Sequence, residues 1–165
     1  MPPSGIALPD FALRDYMGEM VRSEDLAGKI ALVTFLDSQC EESCPIIAGQ
    51  IARALPLLGP EERGEVVALA FSTDPEEDTP ASVRAFLRAQ GAEEELRYLI
   101  GPEAGLRRAW REFQILPSEE TGVDEIHSAP VRLFDHEGVW VDTLHAGQDL
   151  TPGNILHDVR LALGS

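Results

Sequence analysis

Apolar positions along this chain fall into two kinds of run. Ile30-Ala31-Leu32-Val33-Thr34-Phe35-Leu36 and Val66-Val67-Ala68-Leu69-Ala70-Phe71 are near-continuous, the pattern of strands covered on both faces. Elsewhere the spacing is helical. Ile47, Ile51, Leu55 and Leu58 define one stripe, and Val83, Phe86 and Leu87 a second behind Thr79-Pro80, an N-cap with a first-turn proline. Gly101-Pro102 opens a helix with Leu106, Ala109, Trp110 and Phe113 on one face. Thr151-Pro152 opens another that buries Ile155, Val159 and Leu163. Val131–Phe134 and Val139–Val141 flank Asp135-His136-Glu137-Gly138, a hairpin signal. Phe11–Arg14 and Glu19–Arg22 form a smaller hairpin across Tyr16-Met17-Gly18. The order is strand, helix, strand, helix, helix, hairpin, helix. It predicts an α/β domain of thioredoxin-like architecture. A central mixed sheet carries helices on both faces, with an N-terminal hairpin extension.

Composition narrows the function more than the fold. The 165 residues, 44% hydrophobic and 25% charged, read as one domain over 1–165, with residues 1–9 an extended tail. Lys+Arg number 13 against 29 Asp+Glu, a net charge of -16. That field disfavours nucleic acid and anionic membrane surfaces, and suits a cationic partner or a metal cation. No apolar run has membrane-spanning length, and the first residues have no leader character. The expectation is a cytoplasmic protein or one whose export segment lies ahead of this chain.

Only 2 cysteines occur, both in Cys40-Glu41-Glu42-Ser43-Cys44-Pro45. They sit in the loop after a buried strand, where the ends of parallel strands place sites. Two cysteines in one loop point to a redox pair or metal ligands rather than a disulfide framework. Four residues along a helix advance about 6 Å with little rotation, so both sulfurs share a face. A disulfide tolerates Cα separations of roughly 4.4–6.8 Å, so the pair can close. The helix N-terminus favours thiolate, while Glu41 and Glu42 oppose it.

A third ligand would come from His127, His136, His145 or His157, and the pattern alone does not choose among them. His136 falls in a turn and His145 at or beyond the end of the last strand. His157 sits beside apolar helix positions, the place of a partly buried structural histidine. The Asp74–Pro80 segment reads as a turn and helix start rather than as metal ligands. Glu93-Glu94-Glu95 reads as a solvated face.

Taken in order, Gly28-Lys29, Cys40-x-x-x-Cys44-Pro45, Asp74-Pro75-Glu76-Glu77-Asp78-Thr79-Pro80 and His127-Ser128 resemble the Sco (SCO/SenC) family. The resemblance runs from about Phe11 to the last helix. It implies a thioredoxin fold, copper held by Cys40, Cys44 and His127, and a role in assembling the copper centre of cytochrome c oxidase. The implied partner is the copper-binding subunit of that oxidase or another copper chaperone. The implied setting is periplasmic or otherwise outside the cytoplasm, behind an N-terminal anchor. The domain itself is expected to be a monomer without membrane contact.

Departures from the family pattern are Glu41 where many members have Pro, Ser38 where many have Thr, and Glu125-Ile126 between Asp124 and His127. Pro130 stands at the cis-proline position of thioredoxins, so the Ala129–Pro130 bond is expected to be cis. That residue favours a second reading, a thiol-disulfide oxidoreductase without copper. A third, a peroxiredoxin-like peroxidase, is weakest. Thr34 lies too far upstream of Cys40, and no distant resolving cysteine exists.

Overall fold

The computed structural model describes residues 7–113 and 130–164. One seven-stranded mixed sheet organises the chain, in the order β2-β1-β5-β4-β3-β6-β7. The strands are β1 (Ala12–Asp15), β2 (Met20–Arg22), β3 (Ile30–Leu36), β4 (Val66–Ser72), β5 (Arg97–Gly101), β6 (Pro130–Phe134) and β7 (Trp140–His145). β3, β4 and β5 run parallel, while β6 pairs antiparallel with β3 and with β7. Among the described residues the helices are α1 (Ser43–Ala54), the single turn α2 (Pro60–Arg63), α3 (Pro80–Gln90), α4 (Glu103–Phe113) and α5 (Pro152–Leu163).

Side chains alternate across the central strands, so the sheet feeds two cores. Ile30, Leu32 and Leu36 of β3 face Ile47 and Ile51 of α1, Val83 and Leu87 of α3, and Ile155 and Val159 of α5. Ala31, Val33 and Phe35 face the other way, towards Leu106, Trp110 and Phe113 of α4. Phe71 anchors that second core. Its ring lies 5.1 Å from Phe11, 5.5 Å from Phe35 and 5.3 Å from Phe113. α4 packs close because Gly105 has no side chain: a Cβ there would come within 2.6 Å of Leu13 Cδ2.

The N-terminal hairpin forms as expected, with β1 against β2. Asp15 Oδ1 closes its turn by accepting from the amides of Met17 and Glu19, both at 2.9 Å. Ahead of this hairpin, Ala7 makes an isolated antiparallel bridge to Val139, just before β7. Among the described residues, no helix is long and apolar enough to cross a membrane.

Four details differ from the sequence pattern. β5 was not anticipated. Its apolar run, Tyr98-Leu99-Ile100, is too short to declare a period. Its place between β4 and β1 is set by pairing with both. Glu93 and Glu95 are not a bare solvated face. Glu93 accepts from Arg88 at 2.9 Å, and Glu95 pairs with Arg63 at 3.0 Å. On α5 the buried positions are Ile155, Val159 and Ala162, while Leu163 is half-buried and His157 is exposed. The α1 stripe continues through Leu55 and Leu58, but Leu55 already belongs to a 3-10 turn.

Candidate metal centre

β3 ends at Leu36, and the chain turns through Asp37-Ser38-Gln39 to reach Cys40. α1 begins three residues later, with Cys44 in its first turn and Pro45 where no backbone donor is needed. Glu42 stands at the cap position but makes no side-chain cap bond. The sulfur of Cys40 does that work instead: Cys44 N donates to Cys40 Sγ at 3.3 Å. Ser43 Oγ lies 3.9 Å from the same sulfur. Both cysteines are thiols in the structure. Cys44 is buried at 5% exposure, whereas Cys40 is half-buried against the same core.

The loop is held from outside by the segment after β4. Asp78, only 3% exposed, accepts from Ser38 N at 3.0 Å through Oδ1. Its Oδ2 accepts from Ser72 Oγ and from Tyr98 Oη, each at 2.7 Å. Ser38 Oγ and Ser82 Oγ lie 3.2 Å apart, a second tie to α3. Thr79 caps α3 by accepting from Ser82 N at 3.1 Å, as its place before Pro80 predicts. Asp74 stands beside this network. Burial first, then the carboxylates of Asp37 and Asp78, raise its pKa to about 6. Burial raises Asp78 as well, against its hydrogen bonds. The surroundings of the loop are anionic, which suits a cationic guest.

Of the residues expected at the site, Cys40 and Cys44 are brought together. His127 and the Ala129–Pro130 bond lie outside the described residues; among the described residues, Gly101–Pro102 is cis. His136 lies in the β6–β7 turn, where its carbonyl accepts from Gly28 N. His145 ends β7, with Nδ1 3.8 Å from Asp149 Oδ1. Among the described residues no three His, Cys, Asp or Glu side chains form a metal-holding group, so none of these histidines completes a site with the cysteines. Sequence reasoning missed Tyr98 and the three-way grip of Asp78. The sole signal was an Asp directly before Thr79-Pro80, which also suits an ordinary turn.

The SCO1/SenC family model matches residues 3–163. The chain belongs to the SCO1/SenC family. An SCO2-like protein of Rickettsia typhi is 23% identical over 156 residues, covering 91% of this chain and 74% of that protein. A structure of yeast Sco1 with copper bound superposes with a TM-score of 0.77 at 24% identity, covering 100% of this chain and 96% of that one. BsSco, described with a disulfide switch as a member of the Sco family of cytochrome c oxidase assembly proteins, gives 0.77 at 23% identity, covering 98% and 95%. These structural likenesses carry the fold, which is the thioredoxin-like architecture expected of an SCO1/SenC chain.

Proposed function

We propose that this protein is a copper-binding assembly factor for the copper centre of cytochrome c oxidase, holding the ion through Cys40, Cys44 and His127. The observation that carries the reading is the pair of thiols gathered at one strand-to-helix junction, with Cys44 N on Cys40 Sγ at 3.3 Å. Family membership and the copper-bound and oxidase-assembly relatives support it. The donor set fits the cargo. Cu(I) is soft and accepts two thiolates and an imidazole. Three ligands leave it open to attack by the ligands of a receiving protein. Cys40 is the more exposed sulfur, and so the one a recipient reaches first.

The same pair supports a second role, reduction of a target disulfide. The Cys40 thiolate attacks one sulfur of the target and forms a mixed disulfide. The Cys44 thiolate then attacks Cys40 Sγ, releases the target as a dithiol and leaves Cys40–Cys44 oxidised. The backbone N–H on Cys40 Sγ stabilises the attacking thiolate. The two roles exclude each other in time, because an oxidised pair has no thiolate for copper.

The test is transfer. Cu(I)-loaded protein is mixed with the metal-free, reduced copper-binding domain of an oxidase subunit, and copper is followed by separating the two. Copper moving to the recipient supports an assembly factor. Retention of copper in that mixture, with reduction of the oxidised recipient's disulfide by metal-free reduced protein in a parallel one, would assign the reductase role.

A further inference from the structure

Asp78 is buried, and its carboxylate is spent on three donors from three different parts of the sheet end. Ser38 N comes from the loop that carries Cys40, at 3.0 Å. Ser72 Oγ ends β4 and Tyr98 Oη comes from β5, each at 2.7 Å. Tyr98 is wholly buried, so its hydroxyl cannot turn to water. Ser72 is equally buried, and its carbonyl is held by Trp110 Nε1 at 2.8 Å. The two hydroxyls therefore hold Oδ2 from β4 and β5, and Oδ1 accepts from the loop that carries Cys40. Ser38 lies two residues before Cys40, and the next inward bond is Cys40 N to Asp37 O at 3.1 Å. A shift at Ser38 passes directly to Cys40 Sγ.

We infer that Asp78 is a positioning residue for the copper site, anchoring the Cys40 loop to β4 and β5 so that the two sulfurs stand ready as a pair. It touches neither copper nor sulfur and acts through Ser38. The inference rests on the copper reading above for its functional consequence, though the anchoring itself can be measured without metal. Ordinary turn formation by Asp74–Pro80 needs only Thr79 and the backbone. It does not require a carboxylate that reaches across to β5.

Asp78→Asn keeps the size and one acceptor but weakens the grip. Tyr98→Phe removes one donor and keeps the ring in the core. Each variant is compared with wild type by amide hydrogen exchange and by Cu(I) affinity against a competing chelator. In Asp78→Asn, exchange at Ser38 and Cys40 should quicken while exchange in β3 holds. Cu(I) binding should fall about tenfold or more, the usual effect of losing a partner behind a metal ligand. Tyr98→Phe should shift both readouts the same way by less. If Asp78→Asn folds yet leaves Ser38 exchange and Cu(I) affinity at wild-type values, the inference is overturned. The same holds if all amides quicken together, which would make Asp78 a general stabiliser. If wild type binds no Cu(I), the copper reading fails. The exchange arm then still decides whether Asp78 anchors the loop.

Discussion

The backbone N–H of Cys44 points at the sulfur of Cys40, 3.3 Å away. One cysteine therefore caps the helix that carries the other. The sulfur that accepts this bond is the outer one, and the sulfur one turn further in is buried at 5% exposure. The pair is unequal by construction: one thiol is the more exposed and accepts a backbone N–H, and the other is sheltered.

Reduced protein treated with limiting iodoacetamide at neutral pH should be alkylated first at Cys40. The advantage follows from exposure, since the reagent reaches Cys40 while Cys44 is buried. Peptide mapping by mass spectrometry reads the ratio. Equal labelling, or preference for Cys44, would contradict the asymmetry.

Copper and the disulfide compete for the same sulfurs. Cu(I) binds the dithiolate alone, so it should raise the apparent reduction potential of the Cys40–Cys44 couple. The rise should be about 30 mV for each tenfold excess of Cu(I) over its dissociation constant. Thiol titration in a redox buffer, with and without Cu(I), measures the shift. A potential that does not move would remove copper from this pair.

A separate pH effect belongs to the β7–α5 contact. Burial first, then hydrogen bonding to Asp142, raises the Asp158 pKa to about 7. The unfolded value is about 3.9, so the native state keeps a proton that the unfolded chain has lost. That contribution is full below the unfolded value and disappears as pH climbs through about 7. Asp158→Asn, which cannot ionise, should therefore gain in Tm over wild type as pH rises from 5 to 8. A gap that stays constant across that range would show that Asp158 titrates normally.

The sheet was legible where side chains alternate between two apolar cores. Ile30–Leu36 declares itself because Leu32 and Val33 are buried on opposite faces, and no polar residue at all is tolerated except Thr34. Thr34 is itself satisfied, donating to Pro130 O at 3.0 Å. Arg97–Gly101 was not legible. It is short and opens on Arg97, whose charge is answered only in three dimensions by Asp15 at 3.0 Å. The cysteines could be singled out from spacing, since four residues and a proline leave few other local geometries. The hold of Asp78 on Ser38 could not, because it spans 40 residues and depends on a fold that the local sequence does not encode.

The central claim is that Cys40, Cys44 and His127 hold copper. Titration of the reduced protein with Cu(I) against a competing chelator tests it most directly, with wild type beside His127→Ala and His145→Ala. The account predicts one ion per chain in wild type, binding at least about tenfold weaker in His127→Ala, and no change in His145→Ala. Identical affinities in wild type and His127→Ala, or no stoichiometric binding by wild type, would contradict it.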